Sequence, residues 1–256
     1  MNNPLRLLVI ALQFLTRLPI ALRMPPGDIE VGRSLLCYPL VGLLIGGLLT
    51  GLALLCRGHL PPLPAAALLL TVWVGIHGGL HLDGLADSAD AWAGSRGEAA
   101  RALAIMKDPN CGPLGVVMIV IVLLLKFSAL ASLLTATTAG HPAPLFIAPL
   151  LIAPVLGRLV LLPLFMTTDY VRAQGLGSAM HAHLPHRAAW LLIATIVWGI
   201  FWLQGERALL PCLLALFSFI ALRWLMRRVI GGMTGDTAGA TVEIVEAAVL
   251  LGCLWQ

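Results

Sequence analysis

Asp83, Asp87 and Asp90 stand at i, i+4 and i+7 within HLDGLADSAD (81–90), a spacing that puts three carboxylates on one face of a helix. Like charges that close repel one another unless a cation sits among them, and residues 82–95 offer only Arg96 just beyond their end. Hard divalent ions such as Mg²⁺ prefer such oxygen ligands and keep positions open for phosphates. Metal-assisted attack on a phosphate is therefore the expected chemistry; a solvated helix face is the plain alternative. Gly84 serves either a close backbone approach or a turn.

Three further places gather polar groups. Lys107 and Asp108 precede Pro109, Gly112 and Pro113, so Lys107 is a candidate phosphate clamp, or the pair simply ends a loop. RAQGLGSAMHAHLPH (172–186) joins Arg172, Gly175 and Gly177, which suit a loop around an anionic or nucleotide group. Its histidines His181, His183 and His186 have spacing open to a metal, although solvated loop histidines are the commoner case. GGMTGD (231–236) sets Gly232, Thr234, Gly235 and Asp236 before a helix, where backbone N–H groups and the positive helix end favour an anion. Glu243 and Glu246 follow inside an apolar run. Carboxylates there need partners, and depth assigns them Lys126 and Arg158.

These groups need elements to hold them. Of 256 residues, 59% are hydrophobic and 11% charged, against about 25% charged in soluble domains. The apolar residues come in blocks long enough to cross a ~30 Å hydrocarbon core. Backbone amides must be satisfied within lipid, so the blocks are helices. Candidate spans lie near 35–56, 62–81, 113–134, 143–166, 188–204, 207–223 and 239–255. The expectation is an all-α polytopic transmembrane bundle of about seven spans, forming one domain over residues 1–256. Segment 4–22, with Arg6 and Arg17, is read as a retained segment that either crosses or lies at the interface.

Loop charge sets the orientation. The loops 23–34, 82–112, 167–187 and 223–238 hold Arg23, Arg33, Arg96, Arg101, Lys107, Arg172, Arg187, Arg223, Arg227 and Arg228, whereas the other set holds Arg57 and Arg207. The first set, which also carries the aspartates, is expected to face the cytoplasm. The net charge of +4 is spread over short loops with no dense patch, which argues against a nucleic-acid partner. Five cysteines without a CxxC pair argue against a zinc site or a disulfide framework.

FLTRLPI (14–20), GLHLDGLADSAD (79–90), IMKDPNCG (105–112), GR (157–158), RAQGLG (172–177) and GGMTGDTAGATVEIVE (231–246) form an ordered set. It resembles the cobalamin synthase family, also called adenosylcobinamide-GDP ribazoletransferase, over nearly the whole chain. The resemblance implies a multi-pass enzyme of the cytoplasmic (inner) membrane acting late in coenzyme B12 biosynthesis. It would join adenosylcobinamide-GDP to α-ribazole or its 5′-phosphate with release of GMP, using Mg²⁺. Combined with the residue reading, Asp83, Asp87 and Asp90 would hold Mg²⁺, Lys107 and Arg158 would offset phosphate charge, and Asp108 or Glu243 would take the ribose 3′-hydroxyl proton. Arg172, Gly175, Gly177, Gly232, Thr234, Gly235 and Asp236 would bind substrate. The partners expected are the two substrates and the lipid bilayer, with a homo-oligomer or contact with other cobalamin-pathway enzymes left open. In the family a glycine commonly follows the last Asp of the first motif, where this chain has Ala91-Trp92. The competing readings are another Mg²⁺-dependent membrane transferase of the CDP-alcohol phosphotransferase type, and an ion or solute transporter.

Overall fold

The computed structural model describes residues 3–20, 22, 24–138, 144–172 and 176–255. The chain runs α1 (Pro4–Leu15), α2 (Asp28–Ser34), α3 (Tyr38–Cys56), α4 (Pro62–His77), α5 (Leu80–Gly94), α6 (Ala99–Ile105) and α7 (Pro113–Thr138). It continues through α8 (Pro144–Leu159), α9 (Leu161–Thr167), α10 (Leu176–His183), α11 (His186–Gln204), α12 (Leu209–Ile230) and α13 (Gly235–Leu254). Proline opens α1, α4, α7 and α8, where its missing N–H would have had no intrahelical partner. Left-handed glycines end α4 at Gly78 and α12 at Gly231, as their missing Cβ allows.

Five stretches are long and apolar enough to cross a membrane, six if α4 and α5 form one bent span. The longest, His186–Ile230, has 45 residues, about 68 Å as one rod and more than twice the hydrocarbon core. It breaks at Gly205, whose φ is +58°. Ile193 and Val197 of α11 then line the same small groove as Cys212 and Leu216 of α12, so the chain doubles back. Counting α11 and α12 separately makes six, and taking α4 as the crossing half of the bent pair makes the expected seven.

Two boundaries differ from the sequence reading. Segment 4–22 does not cross as a helix: α1 has 12 residues, about 18 Å, and ends before Thr16. Beyond it, Arg17 donates its backbone N–H to the Ile76 carbonyl at 2.7 Å. The span expected over 62–81 stops at His77, because Gly78 and Gly79 both take positive φ, +58° and +74°. The chain there turns by 84° into α5. A steady apolar run conceals such a break.

Small residues let the spans approach. Gly42 and Gly46, one turn apart on α3, face α8 so closely that a Cβ would meet the Pro154 and Leu150 carbonyl oxygens at 2.4 and 2.6 Å. Backbone contact of this kind replaces the hydrophobic drive that lipid cannot supply between helices. α13 is the central element, with Val242, Val245, Val249 and Leu250 inaccessible to solvent.

Candidate functional site

α5 carries the aspartates to the end of the bundle where α7 and α13 begin, outside the membrane-spanning segments. Its helix runs without interruption through Ala91 and Trp92 to Gly94, so the family's glycine position is plain helix here. Gly84 allows the approach to α13: a Cβ would meet the Asp236 carbonyl oxygen at 2.6 Å and its Cα at 2.9 Å. Close backbone approach is therefore its role. Gly84→Ala is expected to push α5 off α13 and to lower stability by about 1–3 kcal/mol, with activity falling further than membrane level; matched immunoblot and turnover measurements check this.

The three aspartates have different surroundings. Asp83 is exposed, while Asp87 and Asp90 are half-buried. Asp90 accepts the backbone N–H of Gly112 at 2.7 Å on one oxygen and that of Gly115 at 2.9 Å on the other. It thus caps the first turn of α7, whose amides have no helical acceptor. Gly112 and Gly115 make room for it, since a Cβ on either would strike the carboxylate at 2.5 Å. Asp236, in the first turn of α13, accepts from Arg172 Nη2 at 2.6 Å. Burial, reinforced by the charges of Asp83, Asp236 and Asp90, pushes the Asp87 carboxyl up to about 6, with Arg172 pulling the other way.

Four carboxylates against one guanidinium make a site short of positive charge, with hard oxygen donors. Those oxygens are of the kind Mg²⁺ prefers, although among the described residues no three of these carboxylates bring oxygens within 4.8 Å of one another. Arg172 Nε is buried without a partner among the described residues, and a Cβ at Gly235 would meet nothing within 4 Å. A free donor and open space at the start of α13 suit an anion.

The proton on Asp87 competes with a cation. Mn²⁺ affinity of the purified protein is expected to fall about tenfold per pH unit below about 6 and to level off above it. Without metal the folded state holds a proton that the unfolded chain releases above 3.8, so stability drops as pH rises from 3.8 to about 6. Isothermal titration with Mn²⁺ across pH 5–7.5 checks the first; an affinity independent of pH would remove Asp87 from the ligand set.

The other expected site residues divide. Thr234 is the N-cap of α13: its hydroxyl accepts the Thr237 N–H at 3.3 Å. It also donates to Met106 Sδ at 3.9 Å, tying the 106–112 loop to the site. On that loop Lys107 and Asp108 are exposed. Backbone and side-chain hydrogen bonds from Asn110 hold the Asp108 carboxyl below the usual range.

Gly232 and Gly177 are packing glycines. A Cβ on Gly232 would meet the Asp169 carbonyl at 2.3 Å, and one on Gly177 the Tyr170 ring at 2.2 Å. The first contact lets residues 169–171 pair with Met233, whose N–H donates to Asp169 at 2.8 Å while its carbonyl accepts from Val171 at 2.9 Å. Gly175 lies outside the described residues. His181, His183 and His186 do not converge on a metal. His181 Nδ1 lies 2.8 Å from the Phe165 carbonyl, His183 packs its Cβ and backbone against Gly32, and His186 opens α11.

Arg158 and Glu243 stand apart from the aspartate cluster, in a buried hub that the sequence only partly revealed. Lys126 Nζ donates to Glu243 and Glu246, 2.5 Å from an oxygen of each. Arg158 donates to the other Glu246 oxygen and to the Pro154 carbonyl, and faces His77. All four charged side chains are inaccessible or nearly so, so Arg158 and Glu243 cannot reach a phosphate or a hydroxyl at the mouth as expected. The pairing of Lys126 and Arg158 with the two glutamates is as the sequence suggested.

His77 and His81 were missed. They flank the Gly78-Gly79 break with rings 4.9 Å apart, and an i, i+4 histidine pair around two glycines was the available signal. With Glu243 they are close enough to share a metal. Two adjacent cations, Lys126 and Arg158, oppose a third charge of the same sign there.

The model of a family described as cobalamin-5-phosphate synthase matches residues 7–254. Among curated relatives, a protein of Stutzerimonas stutzeri (strain A1501) is 53% identical over 97% of this chain and 98% of its own. One of Pseudomonas paraeruginosa (strain DSM 24068 / PA7) is 52% identical over 98% of both, and one of Pseudomonas entomophila (strain L48) 53% over 95% and 96%. Each of these carries the name adenosylcobinamide-GDP ribazoletransferase. No solved structure matches.

Proposed function

This chain belongs to the cobalamin-5-phosphate synthase family, and from that premise we propose that it joins adenosylcobinamide-GDP to α-ribazole or its 5′-phosphate, releasing GMP. The products would be adenosylcobalamin or its 5′-phosphate. The observation that carries the reading to this site is that the charges of Asp83, Asp90 and Asp236 all act on Asp87, with Asp236 paired to Arg172 at the open start of α13. The protein would sit in the inner membrane with this mouth toward the cytoplasm, in keeping with the loop charges.

In the reaction, the ribose 3′-hydroxyl oxygen attacks the phosphorus nearer the corrinoid. The bond from that phosphorus to the bridging oxygen breaks, and GMP leaves with the bridging oxygen. Asp83 and Asp87, aided by Asp236 and Asp90, would hold Mg²⁺, which when bound neutralises and polarises the pyrophosphate. Arg172 and the amides at Gly235 orient the phosphates, and Lys107 reaches in from its loop to offset their charge. Asp108, kept ionised by Asn110, takes the hydroxyl proton in place of the buried Glu243. No covalent nucleophile is needed, because such transfers rest on positioning and charge. Lys126, Arg158, Glu243 and Glu246, which a transporter would set along a path, neutralise one another instead.

The test is GMP release by purified protein in nanodiscs given adenosylcobinamide-GDP, α-ribazole and Mg²⁺. Stoichiometric GMP and cobalamin are expected. Flux of either compound into sealed vesicles without GMP would overturn the enzymatic reading.

A further inference from the structure

On the face opposite the aspartates two cavities meet. One, about 540 Å³, runs between α3, α8 and α11 and is walled by apolar side chains such as Leu43, Ile152, Ile196 and Leu203. The other, about 340 Å³, is walled by Glu206, Arg207 and Trp255, and shares Ala148, Ile152 and Gln204 with the first. The apolar channel follows α11 from Leu192 to Leu203, about 17 Å at 1.5 Å per residue. That is close to the depth of one leaflet, half of a ~30 Å core. Its polar end coincides with the Gly205 break, where the crossing helices end.

Glu206 and Arg207 are exposed, and the ion pairs among the described residues include neither. A cation and an anion side by side, at the mouth of an apolar channel one leaflet deep, match a molecule carrying both charges above a hydrocarbon chain. We propose that this composite cavity binds one zwitterionic glycerophospholipid whose headgroup carries a primary ammonium. An acyl chain fills the channel, Arg207 donates to the phosphodiester, and Glu206 accepts from the ammonium. The glycerol of phosphatidylglycerol offers Glu206 only uncharged hydroxyls, a weaker match than an ammonium, and a quaternary ammonium has no proton to donate to it.

Native mass spectrometry of the full-length protein tests this, after exchange into mild detergent with equimolar phosphatidylethanolamine, phosphatidylglycerol and phosphatidylcholine. One phosphatidylethanolamine per chain is expected, retained at least fivefold over either competitor. Gly199→Trp fills the channel from a position where a Cβ meets nothing within 4 Å; it should cut retention about tenfold without changing the melting temperature in lipid-free detergent. Glu206→Gln, at an exposed position, should abolish the headgroup preference while leaving total lipid retention unchanged. Retention undiminished in Gly199→Trp, equal retention of the three lipids by the unaltered protein, or a dimer that Gly199→Trp dissociates would each overturn the proposal, the last by making a second copy the occupant.

Discussion

Asp83→Asn is expected to lower GMP release by roughly 10²–10³-fold while the protein reaches the membrane at its normal level. Asp83 is exposed, and its carboxylate forms no hydrogen bond or ion pair among the described residues. Asparagine keeps its backbone bond to Gly79, so the substitution removes charge from the mouth and only a few tenths of a kcal/mol, roughly, of helix-end stabilisation in the first turn of α5. Asp90 makes the informative contrast, since both of its oxygens cap α7. Asp90→Asn loses one acceptor and should cost about 1 kcal/mol of stability as well as activity. Turnover across a Mg²⁺ titration, read beside membrane level, checks both. Unaltered turnover by Asp83→Asn would take that residue out of the site.

Glu246→Gln should have the largest effect on folding. The substitution keeps shape but leaves Lys126 and Arg158 facing one carboxylate, Glu243, in the buried interior. Removing one partner of a buried pair costs about 3–5 kcal/mol, mostly as the penalty of the charge left behind. Lys126→Met combined with Glu246→Gln restores neutrality and should recover part of that loss, a coupling that a double-mutant cycle isolates. The readout is the melting temperature in detergent by size-exclusion fluorescence. A Glu246→Gln variant melting with the parent protein would mean that water reaches the hub and screens it.

The sequence displayed the crossings clearly, because hydrocarbon thickness imposes a length that apolar runs cannot hide. It also displayed the aspartates and their helical face, and the pairing of Lys126 and Arg158 with Glu243 and Glu246 followed from the cost of lone charge at depth. The interior break at Gly78-Gly79 was not legible, since an apolar run looks alike whether straight or bent by 84°. Glycine was the residue read least well. Gly232 and Gly177 resembled phosphate-cradling positions but are small because Asp169 and Tyr170 press on them, and motif chemistry cannot separate those uses without the neighbour in view. Arg158 and Glu243 were expected beside the reacting groups, Glu243 because it shares the 231–246 stretch with Asp236, yet a residue on a crossing helix moves about 1.5 Å in depth per position.

The hub also has a history in time. Lys126 and Arg158 precede their acids by 117 and 88 residues along the chain, and the ribosome makes chain at ~5–20 residues per second. For at least about 4 seconds after Arg158 is made, both cations exist with no acid of their own to meet. Charges inside the bilayer are costly, so α7 and α8 must wait beside the insertion machinery or with their charges drawn toward the headgroups. α13 arrives after them, already carrying both glutamates, and its entry is the step that commits the earlier crossings. Chains cut short before Glu243 should therefore be recognised by quality-control proteases even though every preceding hydrophobic segment has been made.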